Sequence, residues 1–185
     1  MKNTIQLLIV FAFGFSACLA QDKPKEEAMD MAFCPMREQA GTSQSDPHHQ
    51  GVVKRGDEVM GFSHEKTAHH FRLYPDGGAI EAEANDAKDT ASRDQIRSHF
   101  EHIATMFAAG NFSAPMLIHT QHPPGSEVMK HLRNVIEYGV ESTEKGARIH
   151  IKTKDTEALC AIHEFLRFQI SDHQTGDPVE VTKVP

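Results

Sequence analysis

The fold is decided by residues 67–85, which read TAHHFRLYPDGGAIEAEAN. Two runs of alternating apolar and polar residues flank Asp76-Gly77, a dipeptide typical of a two-residue type I′ turn, in which both central residues need φ > 0. The sequence therefore predicts a β-hairpin from Thr67 to Asn85. With the turn centred on Asp76-Gly77, the pairs across the hairpin are Leu73 with Ile80, Phe71 with Ala82, His69 with Ala84, Arg72 with Glu81 and His70 with Glu83. One face is then apolar and the other carries opposite charges, as a half-buried sheet requires.

A long helix is predicted after the hairpin. Ser92 and Gln95 form a capping box at its start, and Gly110 ends it. The residues of its buried face recur at helical spacing and are Ile96, Phe100, Ile103 and Phe107. The next segment contains Pro123-Pro124 and is predicted to be a loop, followed by a short helix from Ser126 to Asn134.

The same order of elements recurs in the second half of the chain. A second hairpin is predicted from about Ile136 to Thr153, around Glu144-Lys145-Gly146. Asp155 or Thr156 then caps a second long helix. The residues of its buried face are Leu159, Ile162, Leu166 and Ile170. Two ββα units of this kind predict an α+β fold, in which a four-stranded antiparallel sheet carries the helices on one face.

The predicted domain boundaries follow from this pattern. The globular α+β domain spans residues 59–176. Residues 21–58 are rich in charged and polar side chains and have no sustained apolar period, so we expect a flexible tether there. Residues 177–185 are expected to form a loose tail.

The first twenty residues have the pattern of a signal peptide. A positive start at Lys2 is followed by an apolar run over residues 5–15 and then by small residues. Cleavage after Ala20 is one interpretation. The other is a lipobox, Phe15-Ser16-Ala17-Cys18, which would attach a lipid anchor to Cys18. The protein is therefore expected to be exported, either as a free periplasmic domain or as a membrane-anchored lipoprotein, and both routes stay open.

Charge and motif content exclude several functions. The chain has 19 Lys and Arg against 26 Asp and Glu, a net charge of −7 that becomes −8 once Lys2 leaves with the signal. A negative surface argues against nucleic acid and anionic lipid as partners. The sequence contains no phosphate-binding loop, GxSxG, CxxC or HExxH motif, so it names no reaction. Cys34 and Cys160 are too few for a disulfide scaffold, although a bond between them is an option in an oxidising compartment.

Thirteen histidines, all between positions 48 and 173, carry the chemical interest. Histidine is the commonest metal ligand and also titrates near neutral pH. His69 and His70 are adjacent on a predicted strand, so they point to opposite faces and cannot easily chelate one ion. The alternative is that His69 packs at the edge of the core while His70 pairs with Glu83.

Other candidate ligands are spread along the chain. Met60 and His64 lie just before the first strand, and a thioether with an imidazole suits copper or the axial positions of haem. Met60 could equally lead the chain into the core. His99 lies on the apolar face of the first long helix, His119 follows an apolar run, and His163 lies at the edge of the second buried face. Each has a packing interpretation beside the ligand interpretation.

Several short motifs together resemble a family of small exported bacterial proteins of undefined function. They are Arg55-Gly56-Asp57, Met60-Gly61-Phe62-Ser63, Lys66-Thr67, His69-His70-Phe71, Asp76-Gly77-Gly78, Ile118-His119, Pro123-Pro124-Gly125 and the run from Ile162 to Ile170. The resemblance covers most of residues 48–177. It implies four characteristic residues, His69, His70, His119 and His163, and supplies no activity. Some members carry the label aspartate carbamoyltransferase, but this chain has no carbamoyl-phosphate motif and is too short for that two-domain enzyme.

The sequence favours an exported protein that binds a transition metal, with copper the first choice and haem a weaker one. The candidate ligands are His69, His70, His119 and His163. One alternative is a structural or interaction domain whose histidines pack and pair with carboxylates. The other is a periplasmic enzyme that uses a metal or haem, and the sequence favours a binding protein over it.

Overall fold

The computed structural model of the protein describes residues 46–183. Its elements are α1 (Pro47–Met60), β1 (Thr67–Tyr74), β2 (Gly77–Ala84), α2 (Thr90–Ala108), α3 (Ser113–His119), α4 (Ser126–His131), a 3-10 helix (Arg133–Val135), β3 (Ile136–Ser142), β4 (Gly146–Thr153) and α5 (Thr156–His173). The strands form one antiparallel sheet in the order β1-β2-β4-β3. Helices α2 and α5 pack on this sheet and share its core. The predicted α+β fold built from two ββα units is therefore confirmed.

The first hairpin forms where it was predicted, but its register is shifted by two residues. Phe71 pairs with Ile80 instead of Ala82, and Tyr74 pairs with Gly77. The turn is centred on Pro75-Asp76 because the proline ring presets φ for the first central position of a turn. Gly77 is needed for another reason: a Cβ there would lie 1.9 Å from the carbonyl oxygen of Ile151 on β4. A two-residue shift keeps every side chain on its predicted face.

The two long helices have the predicted buried faces. The apolar residues of both are buried, namely Ile96, Phe100, Ile103 and Phe107 of α2 and Leu159, Ile162, Leu166 and Ile170 of α5. Asp155 caps α5 through a bond from the Ala158 amide. Helix α2 begins earlier than the capping box suggested, because Asp89 accepts the amide of Ser92 and is the N-cap.

Two helices correct the sequence-based expectations. Helix α3 occupies a segment expected to be a loop; Pro115 is its third residue, where a missing N–H leaves no helical bond unmade. Helix α1 occupies residues 47–60, most of which were assigned to the tether. Asp46 caps it, and Val52 is fully buried where α1 packs against α3 and α5. Few of the residues of α1 are buried, so its sequence has no apolar period from which a helix could be predicted.

The C-terminal segment is also better fixed than a loose tail. The amide of Thr182 donates to the carbonyl oxygen of Leu73 at 2.9 Å. Asp177 accepts the amide of Phe71 and the guanidinium of Arg72. The segment therefore runs beside β1 and covers that edge of the sheet.

The predicted signal and lipobox, the remainder of the tether from residue 21, and Cys34 lie outside the described residues. Within residues 46–183, no helix combines the length and the apolar character that crossing a membrane requires.

Candidate functional site

Four imidazoles line a cavity of about 70 Å³ next to the core. They belong to His69, His99, His119 and His173, and the deepest wall is formed by Ile149 and Phe165. We call this the inner cavity. Each imidazole comes from a different element: His69 from the core-facing side of β1, His99 from α2, and His119 and His173 from the last positions of α3 and α5.

A second, larger space lies next to the inner cavity. It measures about 270 Å³ and is lined by residues that include His49, Val52, Met60, His69, His70 and His173. We call it the outer cleft. Met60, His69 and His173 line both spaces, so these three side chains form the boundary between them.

The rings of the site are in mutual contact. His69 stacks on Phe62 and on His173, with ring centres 5.6 and 6.1 Å apart and both interplanar angles at 15°. His173 meets the edge of His119 at 4.9 Å. His99 approaches Phe62 edge-on at 5.6 Å. The four histidines therefore form one connected aromatic cluster.

Three imidazoles of the cluster, those of His69, His99 and His173, are held in the uncharged state. Burial, helped by neighbouring histidines, lowers the pKa of His69 from its ordinary value to about 4. Burial and the nearby His102 lower the pKa of His99 to about 4 as well. Burial also lowers the pKa of His173 well below its ordinary value. All three imidazoles are neutral at pH 7, and the neutral ring is the form that binds a metal ion.

The ring nitrogens of the cluster differ in whether they are paired. Nε2 of His69 is buried and has no hydrogen-bond partner among residues 46–183. His119 has both nitrogens engaged, Nδ1 at 2.5 Å from Asp172 and Nε2 at 2.9 Å from the side-chain oxygen of Gln169. A buried polar atom without a partner costs about 1–3 kcal/mol, so Nε2 of His69 is where a ligand is best placed to bind.

Asp172 holds the surrounding elements together. Its carboxylate bonds to His119 on α3 and, at 2.9 Å, to Nε2 of His48 on α1. Burial would raise the pKa of Asp172, but the hydrogen bonds from His119 and His48 outweigh burial and lower it. The carboxylate therefore stays ionised and orients the His119 ring.

The structure brings together two of the four predicted ligands. His69 and His119 both line the inner cavity. His70 points to the other face of β1 and bonds to Asp177 at 3.1 Å, not to Glu83. Nε2 of His163 donates to the carbonyl oxygens of Tyr74 and Gly77, which ties the hairpin turn to α5.

His70 and His163 therefore do not converge with His69 and His119. Within the described part of the chain, no group of three or more His, Cys, Asp or Glu side chains is arranged to hold a metal ion.

Sequence reasoning gave little weight to the residues that complete the cluster. The sequence pattern gives His99 both a packing and a ligand interpretation, and it does not single out His173. The ring neighbours of His173 in the structure are His69 and His119. No sequence signal shows that the end of α5 packs against β1 and α3. No family model, curated protein or solved structure matches the chain.

Proposed function

We propose that this protein is an exported transition-metal-binding protein, with copper the favoured metal. The metal binds at the boundary between the inner cavity and the outer cleft, through His69, His173 and Met60, with His99 as an additional imidazole nearby. The buried, unpaired Nε2 of His69 is the observation that carries the proposal.

The ligand chemistry supports copper. Imidazole nitrogens together with a thioether sulfur are a ligand set that copper accepts well. With metal–nitrogen bonds of about 2.0 Å, two ligating imidazoles have ring centres no more than about 6 Å apart. The 6.1 Å between His69 and His173 is at this limit. The two rings are stacked with an interplanar angle of 15°, so one ring must turn about its side-chain bonds for both to bind one ion.

The sequence supports export, because the first twenty residues have the signal-peptide pattern. Haem has less support than a metal ion, because about 70 Å³ is well below the roughly 300–1,000 Å³ of pockets that enclose larger ligands.

The test is a Cu(I) titration of untagged protein against a chromogenic chelator. We expect His69→Ala and His173→Ala each to weaken binding at least about tenfold, since loss of even an outer-shell partner of a metal ligand has effects of that size. His150→Ala is the matched control, because that ring lies on the sheet and bonds to Glu141. His70→Ala should also bind as the wild type does. An equal loss in His70→Ala would overturn the ligand assignment.

A second candidate function has its own support. Six histidines in the described residues pair with carboxylates: His48 and His119 with Asp172, His64 with Asp57, His70 with Asp177, His122 with Glu127 and His150 with Glu141. This is the pattern expected of a structural or interaction domain without a metal. Wild-type protein that fails to compete with the chelator for Cu(I), and for Zn(II) or Ni(II) in parallel titrations, would favour this alternative.

A further inference from the structure

The inner cavity has walls that a metal ion alone does not explain. Beyond the imidazoles it reaches Ile149 and Phe165, which are 0% and 1% exposed. Phe100, Ile103 and Ile118 form further parts of the wall. None of the lining residues is an Asp, Glu, Lys or Arg. We call this part of the inner cavity the apolar chamber.

The chemistry of the chamber limits what can occupy it. A water molecule in a protein interior needs about two to four polar partners, and the walls formed by Ile149, Phe165 and Phe100 provide none. The polar groups of the cavity, the imidazoles and the side-chain amide of Gln169, lie outside these walls, so a water molecule is expected beside them and not in the apolar chamber. Burying a charged or strongly polar ligand there would leave its polar groups unpaired, which is costly. An apolar cavity of about 150 Å³ accommodates benzene or xenon. The whole inner cavity measures about 70 Å³, so the apolar chamber within it is too small for benzene and suits a single xenon atom or an apolar molecule of a few heavy atoms.

We propose that the apolar chamber binds a small uncharged apolar molecule of a few heavy atoms at most, in the size class of a diatomic gas. His69 and His173 face this molecule on one side and the outer cleft on the other. The binding of a small apolar molecule in the chamber depends only on the residues that line it. That this molecule would lie beside a bound metal rests on the proposed function.

Xenon is the probe, because it is apolar, monatomic and suited to cavities of this size. Metal-free full-length protein is labelled with ¹³C at the isoleucine δ1 methyls, and spectra are recorded under increasing xenon pressure. We expect saturable shifts at Ile103, Ile118 and Ile149. The methyls of Ile96 and Ile136 are buried outside the cavity and should not respond in this way. Absence of a selective response in the wild type would overturn the proposal.

A filling variant sharpens the test. Ala114 lines the cavity and is buried, so Ala114→Leu should occupy the chamber and abolish the xenon-dependent shifts. Ala108→Leu is the matched control, because Ala108 is exposed on α2 and lines no part of the cavity. If Ala114→Leu does not fold, the proposal is still tested in the wild type by comparing the xenon-dependent shift of the Ile149 methyl with that of the Ile96 methyl. An undiminished response in folded Ala114→Leu would overturn the chamber.

The outcomes separate this inference from the metal proposal. Xenon binding in a protein that binds no metal would sustain the chamber and overturn the proposed function. Metal binding without any selective xenon response would sustain the proposed function and overturn the chamber.

Discussion

His69 and His163 both reach toward the interior of the domain, yet their nitrogens have different surroundings. Nε2 of His163 donates to two carbonyl oxygens, and Nε2 of His69 is buried without a partner. In His163 the nitrogen that a metal would need is already hydrogen-bonded, whereas in His69 it has no partner among the described residues. We therefore assign His163 to stability and His69 to ligand binding.

His163→Ala should therefore destabilise the protein without changing metal affinity. The change removes a fully buried ring and leaves the carbonyl oxygens of Tyr74 and Gly77 unpaired. We expect the free energy of unfolding to fall by about 2–4 kcal/mol in urea denaturation. His131→Ala, at an exposed position on α4, should change it by less than about 0.5 kcal/mol. Weakened Cu(I) binding in folded His163→Ala would contradict this division of roles.

The three neutral imidazoles of the cluster predict a loss of stability in mild acid. The folded-state pKa of His69 and that of His99 are about 4, below the ordinary value of 6.5, and that of His173 is lowered as well. The unfolded chain therefore binds more protons than the folded one between about pH 6.5 and pH 4. The stabilisation is complete above pH 6.5 and is lost as the pH falls, by up to about 1.4 kcal/mol per pH unit for each histidine.

Urea unfolding of metal-free protein at pH 7.5, 6.5, 5.5 and 4.5 measures this slope. The half-buried His99 contributes one of the protons, so His99→Phe should give a shallower slope. Asp172, whose pKa is lowered, acts in a more acidic range, below its ordinary value of 3.8. A flat dependence between pH 6.5 and 4.5 would show that the cluster is charged or solvated.

At this scale the sequence was partly informative. The two-residue period of a strand predicted that His69 and His70 point to opposite faces, and they do. Which ring nitrogens remain unpaired depends on Tyr74, Gln169 and Asp172, whose positions around the rings are set by tertiary packing.

Among the elements, β1 depends on the C-terminal segment beside it. The side chain of Asp177 is 5% exposed and accepts from the Phe71 amide, the Arg72 guanidinium and the His70 ring. Asp177→Ala leaves these donors without their acceptor. We expect a loss of about 1–3 kcal/mol of stability and faster hydrogen exchange along β1, measured by mass spectrometry.

The matched control for Asp177→Ala is Asp94→Ala. Asp94 also forms an ion pair with an arginine, but its side chain is 63% exposed, and exposed pairs contribute little. Asp177→Asn keeps one acceptor oxygen and should fall between the two. Unchanged exchange along β1 in Asp177→Ala would mean that the segment does not protect this edge.

Elements were predictable where burial imposes a period. Both hairpins and the buried faces of α2 and α5 follow from spacing alone. Helix α1 escaped prediction because it buries few residues besides Val52, and α3 because it is short and contains Pro115. The register of the first hairpin depended on whether Pro75 or Gly77 sets the turn, a choice that residue statistics leave open.

For the whole molecule, the sheet and two long helices account for the fold, and the site depends on the elements added around them. Helix α1 supplies Met60, α3 supplies His119, and the end of α5 supplies His173. These residues are far apart in sequence and meet because of packing. The sequence could predict a histidine-rich domain, but it could not predict which of its histidines converge.

Because the proposed ligands come from β1, α5 and the end of α1, an unfolded chain cannot present them together. A metal that binds at His69 and His173 should therefore bind the native state selectively and raise its stability by RT ln(1 + [L]/Kd). At a free concentration one hundred times Kd this is about 2.7 kcal/mol, which corresponds to an increase in Tm of roughly 5–10 °C for a domain of this size.

Differential scanning calorimetry with and without Cu(I) under reducing, oxygen-free conditions measures the shift. The double variant His69→Ala/His173→Ala should lose it, and His150→Ala should keep it. A shift of equal size in the double variant would place the bound metal elsewhere on the native protein, and a fall in Tm would mean that the metal prefers the unfolded chain.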